Sequence, residues 1–378
     1  MIQPPYTGLV LAGGGARGAY QAGALAAITE ITSSLGIEQP FPIISGTSAG
    51  ALNGVFLAAF SDNMPQAVSR LKTLWETIST DQVYSIGKIA LGKLILLLRM
   101  ESETKRVSGD NIHSILNTSP LRHLIEREIP FDKIKQNITH RFLHSIAIKA
   151  LDYNTGSSRI FFQSMASIQP WERIGRIAEE TDLTIDHVLA STSIPFLFPP
   201  VCINAHYYGD GGLRNYTPLS PPIKMGAEKL IVIGVRTKKD PPEGDHIPTS
   251  PSLGKIFGIL LNTIFLDAVD LDFERLSRVN RTLRQLKPDA STPLRPIQVC
   301  MIHPSENLGQ IAEEETEHLP LGISKMMRAF GRNSEVADLT SYLLFEPQYT
   351  QRLVNLGYRD VMKKAEDLIC FLKNEPSS

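Results

Sequence analysis

The chain has 378 residues, 42% of them apolar and 20% charged. That is the composition of a globular protein long enough for one large domain, or one domain with an appendix. Its 38 basic and 39 acidic residues leave a formal net charge of −1, which excludes a basic nucleic-acid footprint and an acidic disordered tail.

The first elements alternate. "TGLVLA" reads as a buried strand, a glycine run follows, and "ARGAYQAGALAAITEI" has helical spacing of Ala, Leu and Ile. "FPIIS" is a second strand, with a helix from about Ser48. This alternation predicts an α/β fold with a parallel sheet and helices on its faces. Helices dominate from Met64 to Lys135, and "SIGKIALGKLILLLRM" is the most apolar of them, with Lys88, Lys93 and Arg99 as its charges. Such a helix is a buried or dimer-packing element, or a lid that dips into a lipid interface with its lysines snorkelling to headgroups.

Strands return at "FLHSIAIKAL" and "SRIFFQ", joined by the turn "DYNTGS". "VCINAHYY" is strand-like, and "KLIVIGV" and "PIQVCMI" are two more buried strands. The loop "PPEGDHIPTSPS" and then a long amphipathic helix, or two, lie between that last pair. Helices resume after Ile302 and run to about Leu372. A boundary near 303 divides a catalytic region, 1–303, from a helical extension, 304–378, that can equally pack on the same domain.

The N-terminal "MIQPPYTGLVLAGGG" has no basic segment ahead of its short apolar run, so a cytoplasmic protein is expected; export without a signal leaves no mark on a sequence. The longest apolar stretches, "IALGKLILLL" and "IFGILLNTIFL", fall short of the ~20 residues that span a bilayer. Cys202, Cys300 and Cys370 are odd in number and far apart, which reads as buried free thiols rather than a disulfide framework or a metal knuckle.

Three motifs carry chemistry. "LVLAGGGARGAYQAG" puts bare backbone N–H groups beside a helix N-terminus, a place that favours negative charge. Gly13, Gly15 and Gly18 also satisfy G-x-G-x-x-G, the dinucleotide fingerprint, but that fingerprint wants an acid at the end of the second strand. Glu38 precedes that strand, and Gly-Thr-Ser follows it. "IISGTSAG" is G-x-S-x-G between a strand and a small-residue helix, the nucleophile-elbow pattern, which raises the serine above the sheet beside the next backbone N–H, that of Ala49. A helix cap is the plain alternative for Ser48.

"AHYYGDGGLRNYTPL" sets Asp210 and two glycines after a strand. Asp-Gly is a β-turn signal, yet the same arrangement exposes a carboxylate, and burial raises a carboxylate from ~4 towards the range of a base. None of the nine histidines sits in a small-residue turn; His303, at a strand end, is the best triad candidate. "ASTSIPFLFPP" carries Ser191 and Ser193 ahead of a proline-rich loop whose Phe196 and Phe198 line an acyl pocket or belong to the core.

"GGGARG", "GTSAG", "ASTSIPFLFPPV" and "DGG", in that order and at these separations, resemble the patatin-like phospholipase family over roughly Gly8 to Ile302. The resemblance implies a lipid acyl hydrolase with a Ser–Asp dyad: Ser48 as nucleophile, Asp210 as its base, oxyanion N–H groups from Gly13, Gly14 and Gly15, and Arg17 ordering that loop. It implies a patatin-like three-layer fold, a phospholipid or lysophospholipid substrate met at a membrane surface, and neither metal nor cofactor. Bacterial members often carry a helical extension, to which the resemblance assigns no function. Two other readings stay open: a serine-elbow acyltransferase, which wants a histidine base and an arginine, and a non-enzymatic nucleotide-binding module.

Overall fold

The computed structural model describes residues 6–86, 114–165, 168–237, 250–287 and 291–375. Strands β1 (Tyr6–Leu11), β2 (Ile43–Thr47), β5 (Ser145–Asp152), β11 (Ala227–Ile233) and β12 (Gln298–Ile302) run parallel in the order β12-β11-β1-β2-β5. Beyond β5 the sheet continues through β6 (Ser158–Ser164), which returns antiparallel as the "DYNTGS" turn requires. The hairpin of β7 (Trp171–Arg173) and β8 (Arg176–Glu180) closes that edge. A second hairpin, β9 (Val201–Ile203) and β10 (His206–Asp210), pairs with the end of β5. A small ribbon, β3 (Ser85–Ile86) with β4 (Leu116–Asn117), stands apart.

The α/β fold with a mostly parallel sheet is the one that the sequence predicts. The single strand read over "VCINAHYY" is instead that second hairpin, turned at Asn204 and Ala205, which both have positive φ. The apolar helix read from Ser85 to Met100 lies outside the described residues save Ser85 and Ile86, which are strand. The cysteines are free but not buried: Cys202 is exposed on the outer hairpin, and Cys300 and Cys370 are half-buried.

Helices α1 (Gly18–Ser34), α2 (Ala49–Ala59) and α3 (Met64–Thr77) follow the first strands. Then come α4 (Ser119–Glu128), α5 (Asp132–Thr139) and α6 (Ile185–Thr192). The long helical stretch before β12 breaks at Leu266 into α7 (Leu253–Phe265) and α8 (Asp267–Gln285). After β12 come α9 (Leu308–Glu314), α10 (Leu321–Phe330), α11 (Asn333–Leu343), α12 (Pro347–Met362) and α13 (Ala365–Lys373). Most of α1 is buried, on more than one side, so it needs cover away from the sheet as well as on it. Helix α12 gives that cover at backbone distance. A Cβ on Gly23 would stand 1.8 Å from the Val354 carbonyl oxygen, and one on Gly357 would stand 2.1 Å from that of Tyr20. Residues such as Leu353, Val354 and Tyr349 share one apolar core with Leu25, Ile28 and Leu9.

Candidate active site

Ser48 sits between β2 and α2 with φ 55° and ψ −127°, a backbone region that costs a non-glycine residue on the order of 1–3 kcal/mol. The flanking glycines permit the turn. A Cβ on Gly46 would lie 2.2 Å from the Gly50 carbonyl oxygen, and one on Gly50 would lie 2.3 Å from that of Leu11. The Ser48 side chain makes no capping hydrogen bond to α2, so the helix-cap reading fails. Its backbone N–H is already used, donating to Ser191 Oγ at 3.0 Å. The free N–H groups of the α2 N-terminus, beginning at Ala49, remain beside the hydroxyl.

Asp210 is the last residue of β10 and wholly buried. Its Oδ1 accepts from the Gly212 N–H at 2.8 Å, which opens a short turn over Gly211–Arg214. The β-turn reading and the carboxylate reading therefore hold together, because Oδ2 is left buried without a hydrogen bond from any described residue. Burial pushes this carboxyl up from 3.8 to about 7, opposed by the nearby Ser48 hydroxyl and by the Gly212 N–H. The influence of Ser48 reaches Asp210 although Oδ2 completes no ordinary hydrogen bond.

The segment "ASTSIP" holds both residues. Ser191 Oγ takes the Ser48 N–H, and the Ser193 carbonyl takes the Asp210 N–H at 2.9 Å. On the sheet side, the buried Lys149 ammonium donates to Asn215 Oδ1 at 2.5 Å, and Asn215 Nδ2 donates to Thr47 Oγ1 at 3.2 Å. The residue before Ser48 is thus tied to the segment that carries Asp210. Nothing in the type or spacing of Ser191, Asn215 and Lys149 signals these tasks; only their partners across the fold reveal them.

The glycine run lies over Ser48. A Cβ on Gly13 would touch the Ser48 Cβ at 3.0 Å, and Gly15 lines the same cavity as Ser48 and Ala49. Gly14 turns its α-carbon towards Val235, where a Cβ would meet the side chain at 2.7 Å. Arg17 caps α1 from a buried position. Its Nε donates to Ser341 Oγ at 2.8 Å, its Nη2 pairs with Asp338 at 3.1 Å, and its guanidinium lies 4.5 Å from the Tyr342 ring centre. Arg17 therefore joins the glycine run to α11, far away in sequence. Gly15 meets the same helix: a Cβ there would strike the Tyr342 carbonyl oxygen at 2.2 Å.

Beside Ser48 lies a small apolar cavity of about 30 Å³, walled by Leu52, Trp75, Ile78, Leu121, Phe198 and Phe345. Phe198 is in that wall. Phe196 is not: it is 72% exposed, with φ 66°, and turns outward. Phe345, from the C-terminal region, had no signal in the sequence. Phe265 was also missed; its ring occupies the space beside Gly212 and Gly13. His303 follows β12, three strands from β2, and faces Asp270 at 3.5 Å. No histidine lines the Ser48 cavity among the described residues, and no group of His, Cys, Asp or Glu there could hold a metal ion.

The chain is 28% identical over 235 residues to patatin-like phospholipase domain-containing protein 7 of Mus musculus, a match over 61% of this chain and 14% of that protein. It is 26% identical over 245 residues to lysophospholipase NTE1 of Cryptococcus neoformans, over 63% of this chain and 12% of that protein. The chain thus matches a small part of these much longer relatives. Among solved structures, human GIVD cytosolic phospholipase A2 in complex with methyl gamma-linolenyl fluorophosphonate aligns with a TM-score of 0.44 and 10% identity, over 98% of this chain and 59% of that one. VipD from Legionella pneumophila aligns with a TM-score of 0.36 and 13% identity, over 96% of this chain and 67% of that one. The model of the patatin-like phospholipase family matches residues 9–223, more than half of the chain and every motif from the glycine run to Asp210, so this chain belongs to that family.

Proposed function

We propose that this chain hydrolyses carboxylic esters of phospholipids or lysophospholipids through Ser48 and Asp210, by way of an acyl-enzyme. The observation that carries the reading is the buried Asp210 Oδ2, without a donor, beside a strained elbow serine that opens on an apolar cavity. In the mechanism, Asp210 takes the Ser48 proton while Oγ attacks the ester carbonyl. The oxyanion is received by the Ala49 N–H and by N–H groups of Gly13, Gly14 and Gly15; each such donor contributes ~3–4 kcal/mol in a preorganised site. Asp210 then returns the proton to the departing alcohol. Water next attacks the acyl-enzyme, giving its proton to Asp210, and the fatty acid leaves as Ser48 is restored. The apolar lining suits an acyl chain once its side chains part to admit one, and the chain then gains ~0.8 kcal/mol per buried CH₂.

A fluorophosphonate probe followed by mass mapping tests the nucleophile, and a lipid panel resolved by headgroup and chain position tests the substrate. The probe should label Ser48 alone, and Ser48→Ala should retain the fold with under about 1% of wild-type ester hydrolysis. Appreciable turnover in a folded Ser48→Ala variant, or labelling elsewhere, would refute the assignment.

A further inference from the structure

Helix α7 is apolar on nearly every side, the side it shows to solvent included. Its glycines face inward: a Cβ on Gly254 would strike Val336 at 2.3 Å, and one on Gly258 would reach Asp338 at 3.0 Å. Four of its six large aliphatic residues face outward, with Leu253, Ile256, Ile259 and Leu260 exposed at 53, 43, 50 and 50%, while Leu261 is buried and Ile264 half-buried. A helix folded only for its own core places such residues inside, and a contiguous apolar patch on a surface marks an interaction site.

The face is continuous with the catalytic mouth. Phe265, at the end of α7, packs beside Gly13 and Gly212. Phe257 of α7 lies 6.5 Å, ring centre to ring centre, from the outward-turned Phe196, two residues before Phe198 of the cavity wall. Gly331, just past α10, abuts Ser252, the N-cap of α7, so the two helices are neighbours. Leu321 of α10 is 81% exposed.

Charge identifies the occupant. In a chain whose charges balance, α7 carries Lys255 and no carboxylate, and α10 carries Lys325 and Arg328 and no carboxylate; all three cations are exposed. Of the acids nearby, Asp338 pairs with Arg17, Asp267 with Arg236 and Asp270 with His303, all on the flank of α7 where Lys255 and Ile259 lie, and Glu335 accepts the Arg332 N–H at the join with α10. Exposed apolar side chains on two helices whose own charges are all positive match the boundary between acyl chains and anionic headgroups. A symmetric second copy would set those cations against themselves. At 13 residues α7 is too short to cross a bilayer; it can lie in the interface.

We propose that the outward face of α7, with the cationic rim of α10, docks on an anionic bilayer surface and brings the Ser48 cavity to its lipid. This rests on the lipid-hydrolase reading above, and the test separates the two. Co-sedimentation uses the Ser48→Ala protein, so that no lipid is consumed, with vesicles of phosphatidylcholine alone or mixed with phosphatidylglycerol. The mixed vesicles should bind at least about tenfold more tightly. Adding Leu253→Ser, Ile256→Ser and Leu260→Ser should reduce that binding about tenfold, and Lys325→Glu with Arg328→Glu should remove the anionic preference. With Ser48 intact, the triple serine variant should lose about tenfold in turnover of vesicular phospholipid and keep its turnover of a short soluble ester. Unchanged vesicle binding overturns the proposal. So does a dimer that the serine variant turns into a monomer, which would assign the face to a second copy. A fall of both activities together with melting temperature would show that the face is covered by the chain itself. If the wild type hydrolyses no ester, the functional reading fails, while sedimentation of the Ser48→Ala protein still decides the docking.

Discussion

Asp210 carries two roles at one carboxyl: Oδ1 holds the Gly212 turn and Oδ2 is left for chemistry. Burial holds the group at about 7 against an ordinary 3.8, a difference on the order of 4 kcal/mol if wholly expressed. The folded value lies above the unfolded one. The group therefore favours the folded state fully below pH ~4, and this contribution is lost as pH rises through about 7. Asp210→Asn should match the wild type in stability at pH 4 and exceed it at pH 8.5 by a few kcal/mol, read by urea unfolding. Its ester hydrolysis should fall below about 1%, since an amide cannot accept the proton. A less stable Asn variant at pH 8.5 would show that the ionised carboxylate is held by partners rather than stranded. For the wild type, kcat/KM should rise with pH along an acid limb near 7, the ionisation of the base. His303→Ala should leave turnover per folded molecule unchanged, because His303 faces Asp270 from the edge of the sheet. An inactive His303→Ala would make the enzyme a triad hydrolase.

At the scale of elements, the elbow was legible because its determinants are local. Gly46 clears the Gly50 backbone within one turn, and spacing reports such a need, although Gly50 in turn clears Leu11 of β1. The glycine run was legible only in part. Its sequence shows a loop and a helix start, but Arg17 is satisfied by Asp338, Ser341 and Tyr342 of α11. A cation at a helix N-terminus costs a few tenths of a kcal/mol up to about 1, whereas hydrogen bonds to a buried charge return ~1.5–3 kcal/mol. The hydrogen bonds win. Arg17→Met should therefore destabilise the protein by about 2–3 kcal/mol and lower kcat more than it raises KM, as Gly13 and Gly15 lose their anchor on α11. Unfolding curves with steady-state kinetics on a soluble ester decide it; equal stability with full kcat would leave Arg17 without that task. The edge hairpin of β7 and β8 went unread because "WERIGRIAEE" has no strong alternation; pairing with β6 makes it strand.

For the whole molecule, helices α9 to α13 complete the core laid down by the first half of the chain. α12 lies on α1 at backbone distance, α11 backs the glycine run, and Phe345 walls the cavity. Tyr20 adds a buried hydrogen bond to Asp360 at 3.2 Å. A chain ending at residue 303 should accordingly yield no soluble, active protein, whereas addition of 304–378 in trans or its retention in cis should restore the fold. An active fragment 1–303 with a cooperative melt would show that the extension is dispensable.

The alternation of strands and helices, the elbow, the Asp-Gly-Gly turn and the order of motifs that marks the family can all be read along the chain. Each depends on contacts within a few residues, where glycine spacing and apolar periodicity leave a direct record. The tertiary structure alone decided which side chains hold these pieces to one another. It joined Ser191 to the Ser48 amide, tied Arg17 to α11, set Phe345 in the cavity wall and turned Phe196 outward. Those partners are brought together by closure of the sheet and by packing of α12 on α1, and a residue's type carries no record of a partner hundreds of positions away. The outward face of α7 shows the same limit. "LGKIFGILLNTIF" is apolar on nearly every side, so only the docking of Gly254 and Gly258 on α11 fixes which side faces out.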